Sequence, residues 1–239
     1  MNAPSDRVAP RWITALVALI AVLVPVLLYA VFVVAPVEAR MGIVQKIFYI
    51  HVPSANAMYL GFIVAAVGSA VYLAKRDPRW DAIAVAGAEV GMLFCAIVLV
   101  TGPLWARKAW GVYWTWDPRL TSTMLAGMIF TAYIALRSFG TTGEAERRFA
   151  AALAIIGLLD LPIIKYSVQR WRGTHPTVIS GRGGGIHPDM VPALLIGLVT
   201  IALLAVVLIA LRYRVERTRQ QLHAIEIEVA RRGLLEEGA

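Results

Sequence analysis

Apolar runs with at most one charge each, separated by short clusters of Arg, Lys, Asp and Glu, dominate the chain. A bilayer core of about 30 Å is crossed by about 20 apolar residues in α-helix. Six runs reach or approach that length: 12–35, 54–74, 82–102, 121–136, 149–164 and 190–211. The first is too long for the apolar stretch of a signal peptide and lacks a small-residue cleavage site at its end, so it reads as a retained span. The fourth and fifth are short. Their helices are expected to extend into flanking polar residues or to sit where the bilayer thins. After Leu211 the pattern changes to RYRVERTRQQLHAIEIEVARRGLLEEGA, charged throughout, with Leu222, Ile225 and Val229 on one helical face. The pattern predicts an all-α integral membrane protein: a six-helix bundle over 1–211 and an amphipathic helical tail over 212–239.

Composition agrees with this reading. Of 239 residues, 59% are hydrophobic and 16% charged, and the mean hydropathy is +0.69. A water-soluble globule of this size needs more polar surface. Six spans put both termini on one side. The larger share of the 23 Lys and Arg falls on that side, which favours termini in the cytoplasm. The opposite segments carry only Glu38, Asp117 and Asp189 as acids, so that face is the more net-positive one. An anionic ligand there would account for the surplus, as would anionic lipid headgroups. Cys95, the lone cysteine, lies in an apolar run, which leaves no disulfide framework or thiolate cluster. No internal repeat, Gly-rich phosphate loop or ATP-binding motif is present, so any energy input must come from another chain.

The chemistry concentrates in WARKAWGVYWTWDPRLT, residues 105–121. Trp105, Trp110, Trp114 and Trp116 are four of the seven tryptophans, and Tyr113 sits among them. An interfacial aromatic belt normally places one or two aromatics at a helix end. This density, interleaved with Arg107, Lys108, Asp117 and Arg119, exceeds it. Clustered indoles make a flat polarisable shelf, each aromatic pair contributing about 1 kcal/mol beyond its buried area. Nearby Arg and Lys can clasp carboxylates. Haem combines a flat macrocycle, two propionates and a metal that takes axial ligands. The metal asks for imidazoles on the same side. His51, at the start of the second span, and His175 and His187, before the sixth, fall on the tryptophan side. Each alone reads equally as a hydrogen-bonded boundary residue; two from separate segments suit bis-histidine ligation. His223 lies among charges in the tail and reads as solvated.

Other chemistries find less support. HExxH, GxSxG and Ser–Lys motifs are absent. Glu89 and Asp160 lie within spans, where an ionisable residue is a functional candidate by default. Asp160 is expected near the tryptophan-side interface, solvated or paired. Glu89 is expected deeper, paired with a basic residue or a backbone group, or facing a partner helix. SGRGGGIHPD reads as a flexible loop.

The stretch WGVYWTWDPRLT resembles the WWD motif of haem-handling proteins of cytochrome c biogenesis. The match runs through Trp110, Gly111, Trp114, Trp116, Asp117, Arg119, Leu120 and Thr121. Within that superfamily the chain is most similar to the haem exporter protein C (CcmC) family. IFYIHVPSA around His51 and LPIIKYSVQRW before His175 also look like stretches of it, so the likeness covers residues 40–180. Tyr113 departs from the Trp that many members carry there. The resemblance implies a haem-binding and transfer protein of the bacterial inner membrane, not an enzyme, with the WWD loop (about 103–120) in the periplasm. It implies non-covalent haem b in transit, passed to a periplasmic chaperone, CcmE, alongside the ABC-type subunits CcmA and CcmB and the small membrane protein CcmD; membrane lipid is a further partner and nucleic acid is not. On the matching positions His51 and His175 would bind iron, with His187 as a weaker candidate. Trp110, Tyr113, Trp114 and Trp116 would form the shelf. Arg119 would take a propionate, with Lys108 and Arg172 behind it, and Asp117 would hold Arg119 or the loop. The rival readings are an integral membrane b-type cytochrome that moves electrons, a permease that conducts haem, and a subunit that only scaffolds an ATPase.

Overall fold

The computed structural model describes residues 10–139, 143–171, 173, 175 and 186–232. Arg172 lies outside the described residues, as does most of SGRGGGIHPD. Among the described residues the chain is all-α, with six helices long and apolar enough to cross a membrane. They are α1 (Arg11–Tyr29, continued by a π-helical turn, Ala30–Val34), α2 (Phe48–Lys75), α3 (Pro78–Trp110), α4 (Pro118–Phe139), α5 (Glu144–Trp171) and α6 (Val191–Arg231). Short 3-10 turns, Ile43–Ile47 and Pro188–Met190, lead into α2 and α6.

Local chemistry sets the helix ends. Arg76 adopts a left-handed conformation (φ 57°) and closes α2; Asp77 then caps α3, accepting from Arg79 N at 2.8 Å, with Pro78 in the first turn. Gly111, at φ 79°, ends α3, a conformation that costs glycine nothing. The helices overrun the apolar runs, because flanking polar residues continue the backbone hydrogen-bond ladder once a helix is nucleated. α3, with 33 residues, is about 50 Å long and carries the first part of the tryptophan segment. Only 111–117 of that segment is non-helical. α6 runs unbroken past Leu211 to Arg231.

α2 and α3 form the tightest pair. A Cβ on Gly61 would meet Gly91 Cα at 2.4 Å, and one on Gly87 would meet Ala65 N at 2.6 Å. Small residues let the two backbones touch, as helix association in lipid favours. Phe62 of α2 stacks on Phe130 of α4, 3.7 Å between ring centroids, at the heart of the apolar core.

The end of the bundle that bears the termini is tied by ions. Asp81, 3% exposed, accepts from Arg137 at 2.9 Å and from Gln220 Nε2 at 3.3 Å, and Arg147 lies 3.8 Å away. One carboxylate thereby joins α3, α4, α5 and α6. Glu89 takes a two-pronged hydrogen bond from Arg212 of α6, which also reaches Glu216 at 3.2 Å. Glu89 is therefore paired with a basic residue. Asp160 departs from expectation. Because α5 continues to Trp171, Asp160 lies about three turns inside the helix. It is 4% exposed, against the backbone of Ala126, with no side chain hydrogen-bonded to it. The polar residues after Ile164 extend the helix instead of ending it, which buries the acid.

Candidate functional site

At the opposite end, α3 and α5 barely meet, and α2, α3, α4 and α5 enclose a cavity of about 590 Å³. That is within the range of sites that hold a small organic ligand. Its lining is mainly apolar and includes His51, Trp105, Trp110, Trp114, Arg119, Lys165 and His175.

His51 stands in the first turns of α2 and is 7% exposed. Its Nδ1 lies 2.8 Å from Thr101 Oγ1, and Thr101 in turn donates to Ile97 O at 2.6 Å. Trp105 packs edge-on against the imidazole at 5.9 Å and donates its indole N–H to Met41 Sδ. Gly102 makes room for the ring: a Cβ there would sit 3.3 Å from His51 Cε1.

His175 follows α5 and is held from α4. Asp117 is the key to its placement. One carboxylate oxygen accepts from Arg119 N at 2.8 Å and caps α4; the other accepts from His175 N at 3.2 Å. A Cβ on Gly173 would come within 2.5 Å of that second oxygen, so a larger residue there would require the Asp117 carboxylate to shift. The Arg119 side chain spans the gap. Its Nε donates to Ile164 O (3.2 Å), Nη2 to Lys165 O (3.1 Å) and Nη1 to His175 Nδ1 (3.2 Å). Trp110 lies edge-on to the His175 ring at 6.3 Å.

The named residues thus divide into two groups. His51, His175, Trp110, Trp114 and Arg119 line one cavity. Asp117 is buried behind it and positions His175. Trp116 and Tyr113 are exposed at the rim. Trp116 meets Trp114 edge-to-face at 6.1 Å, and Tyr113 lies under Arg107, whose guanidinium also bonds Gly111 O. Lys108 is exposed and does not line the cavity. His187 faces solvent beside Asp189, 3.6 Å away, and does not line it either. Trp105, Thr101 and Lys165 are the additions. Thr101 and Trp105 are four apart on α3, hence on one face, a spacing that points to them once His51 is placed opposite.

The arrangement has a definite chemical character. Two imidazoles face one space, two cations sit at its edge, and no acid is among its lining residues. Among the described residues no group of three or more His, Cys, Asp or Glu converges to hold a bare ion. Two imidazoles suit a metal already held in its own macrocycle.

The chain as a whole is similar to known proteins. The family model described as "Heme exporter protein C" matches residues 3–228. The protein of that name from Bradyrhizobium diazoefficiens is 34% identical over 201 residues, 83% of this chain and 76% of the relative. Its namesake in Rhodobacter capsulatus is 29% identical over 225 residues, 93% and 91% of the two chains. A cytochrome c biosynthesis ccmC-like mitochondrial protein of Marchantia polymorpha is 35% identical over 165 residues, 68% and 70% of the two. With nearly its whole length matched, and with a multi-pass helical fold of the expected kind, this chain belongs to the heme exporter protein C (CcmC) family.

Proposed function

We propose that this protein binds haem in the cavity between His51 and His175 and passes it on during cytochrome c biogenesis. The observation that carries the reading is the convergence of two imidazoles, from α2 and from the segment after α5, on one indole-lined cavity with Arg119 at its edge. His51 and His175 would hold the iron through their imidazoles. Trp105 and Trp110, edge-on to the imidazoles, hold the rings in place; Trp110 and Trp114 wall the macrocycle. Arg119 and Lys165 meet the propionates. Haem is cargo here, and its iron and vinyl chemistry belong to the cofactor; the chain's residues orient it and leave one edge reachable.

The exposed ledge of Tyr113 and Trp116 suits contact with the recipient, a periplasmic haem chaperone of the CcmE type, with CcmA, CcmB and CcmD as the surrounding complex. The tryptophan end faces the periplasm and the termini the cytoplasm of the bacterial inner membrane, in line with the Lys and Arg distribution. The division into a haem-handling bundle and a cytoplasmic tail after Leu211 belongs to the same reading.

The test is spectroscopic. Full-length protein loaded with haem b shows a six-coordinate low-spin spectrum. His51→Ala and His175→Ala each abolish it. If both variants keep the parent spectrum and haem content, the ligand assignment fails.

A further inference from the structure

The two imidazoles at the cavity are held in opposite states. Thr101 has one hydroxyl hydrogen and donates it to Ile97 O at 2.6 Å. Towards His51 it can therefore only accept. The 2.8 Å contact with Nδ1 puts the ring hydrogen of His51 on Nδ1 and leaves Nε2 with a bare lone pair. At His175 the partner is a guanidinium, which donates and never accepts. Arg119 Nη1, 3.2 Å from Nδ1, occupies the lone pair there, so the neutral ring carries its hydrogen on Nε2. His51 presents a nitrogen lone pair to a metal; His175, in this arrangement, presents neither.

We infer that Thr101 presets His51 as the standing iron ligand, and that Arg119 latches His175 until a carboxylate on the incoming macrocycle draws the guanidinium away. The inference rests on the haem reading above. The exchange has a driving force. Arg119 gives up one contact to a neutral imidazole and gains a charge-assisted, two-pronged bond to a carboxylate. Its bonds to Ile164 O and Lys165 O can persist, since the guanidinium has five donors. Asp117 keeps the His175 backbone in place through the change. Once Nδ1 is released, the ring hydrogen moves there and Nε2 becomes a donor to iron. Ligation is then ordered, His51 first and His175 second, and the second bond forms only with a carboxylate-bearing tetrapyrrole. The latch would thus make the site selective for a porphyrin with free propionates.

The experiment has a ligand-free arm and a loaded arm, both on the full chain in lipid nanodiscs. In the first, ¹⁵N-labelled histidine rings are read by long-range ¹H–¹⁵N correlation, with His51 and His175 assigned by single His→Gln variants. The expected result is hydrogen on Nδ1 of His51 and on Nε2 of His175. Thr101→Val should scramble the His51 pattern and weaken binding of ferric protoporphyrin IX by about tenfold, as loss of such a supporting partner typically does; Thr101→Ser should restore both. The same tautomer at both rings, or no response of His51 to Thr101→Val, overturns the inference. In the loaded arm, ferric protoporphyrin IX should give a low-spin spectrum and its dimethyl ester a high-spin one. Arg119→Met should let the ester go low-spin. A low-spin ester complex with the parent protein overturns the latch while leaving the haem reading intact. Low-spin spectra that survive both His→Ala variants overturn the assignment of His51 and His175 as ligands, on which the latch rests.

Discussion

Asp117 shows how much rests on one side chain. Its two oxygens serve two elements: one caps α4 through Arg119 N, the other holds His175 N. Removing a cap of this kind costs about 1 kcal/mol, a modest loss for a bundle this size. The effect on the site should be larger, because His175 loses its anchor. Asp117→Ala is expected to lower the thermal midpoint by a few degrees and to convert bound haem from low- to high-spin. Gly173→Ala tests the same contact from the other side. Its Cβ would meet an Asp117 oxygen at 2.5 Å, so the spectrum should change in the same direction while α4 keeps its cap. A low-spin spectrum in both variants would mean that His175 does not depend on Asp117. The WWD motif makes the acid conspicuous in the sequence, but its partner is more than fifty residues away, and nothing in the local pattern names Gly173.

At the scale of elements, apolar runs located the six long helices, and α2, α3, α4 and α5 run past them at both ends, as expected for α4 and α5. Hydropathy reports where lipid can surround a helix, whereas the hydrogen-bond ladder continues into polar residues until a cap ends it. That is why α3 carries Trp105 and Trp110 on its last turns, and why Asp160 is buried deep in α5. The pairing of α3 with α6 through Glu89 and Arg212 is a second consequence of register. Both side chains are part-buried, so breaking one side of the pair costs less than the about 3–5 kcal/mol of a fully buried one, whereas replacing both partners by apolar groups is close to neutral. Arg212→Leu is therefore expected to lower the thermal midpoint in detergent clearly. Because Glu216 also leans on Arg212, the compensating variant is Glu89→Leu and Arg212→Leu with Glu216→Gln, which should recover most of the loss. If it is as unstable as the single variant, the ion cluster is not the source of the coupling.

The whole molecule is asymmetric along its axis. At the terminal end Asp81 ties α3 to α4 and α5 through arginines and to α6 through Gln220, and Arg212 of α6 holds Glu89 of α3. At the tryptophan end the helices diverge around a cavity, and the aromatics divide between its wall and its rim. A closed base with an open mouth suits binding and release on one side. Trp114→Ala combined with Trp116→Ala should weaken haem retention or transfer while membrane insertion and the closed end are unchanged. Unaltered retention and transfer in that variant would return these indoles to an interfacial role. The sequence by itself determined the class of fold, the number of spans and the aromatic segment, because hydropathy and short motifs are local properties of the chain. Only the tertiary structure decided which indoles face the cavity, that Thr101 and Trp105 support His51, and that Arg119 lies on His175. Those contacts join residues some fifty positions apart, and helix packing and rotation, which no local pattern specifies, bring them together.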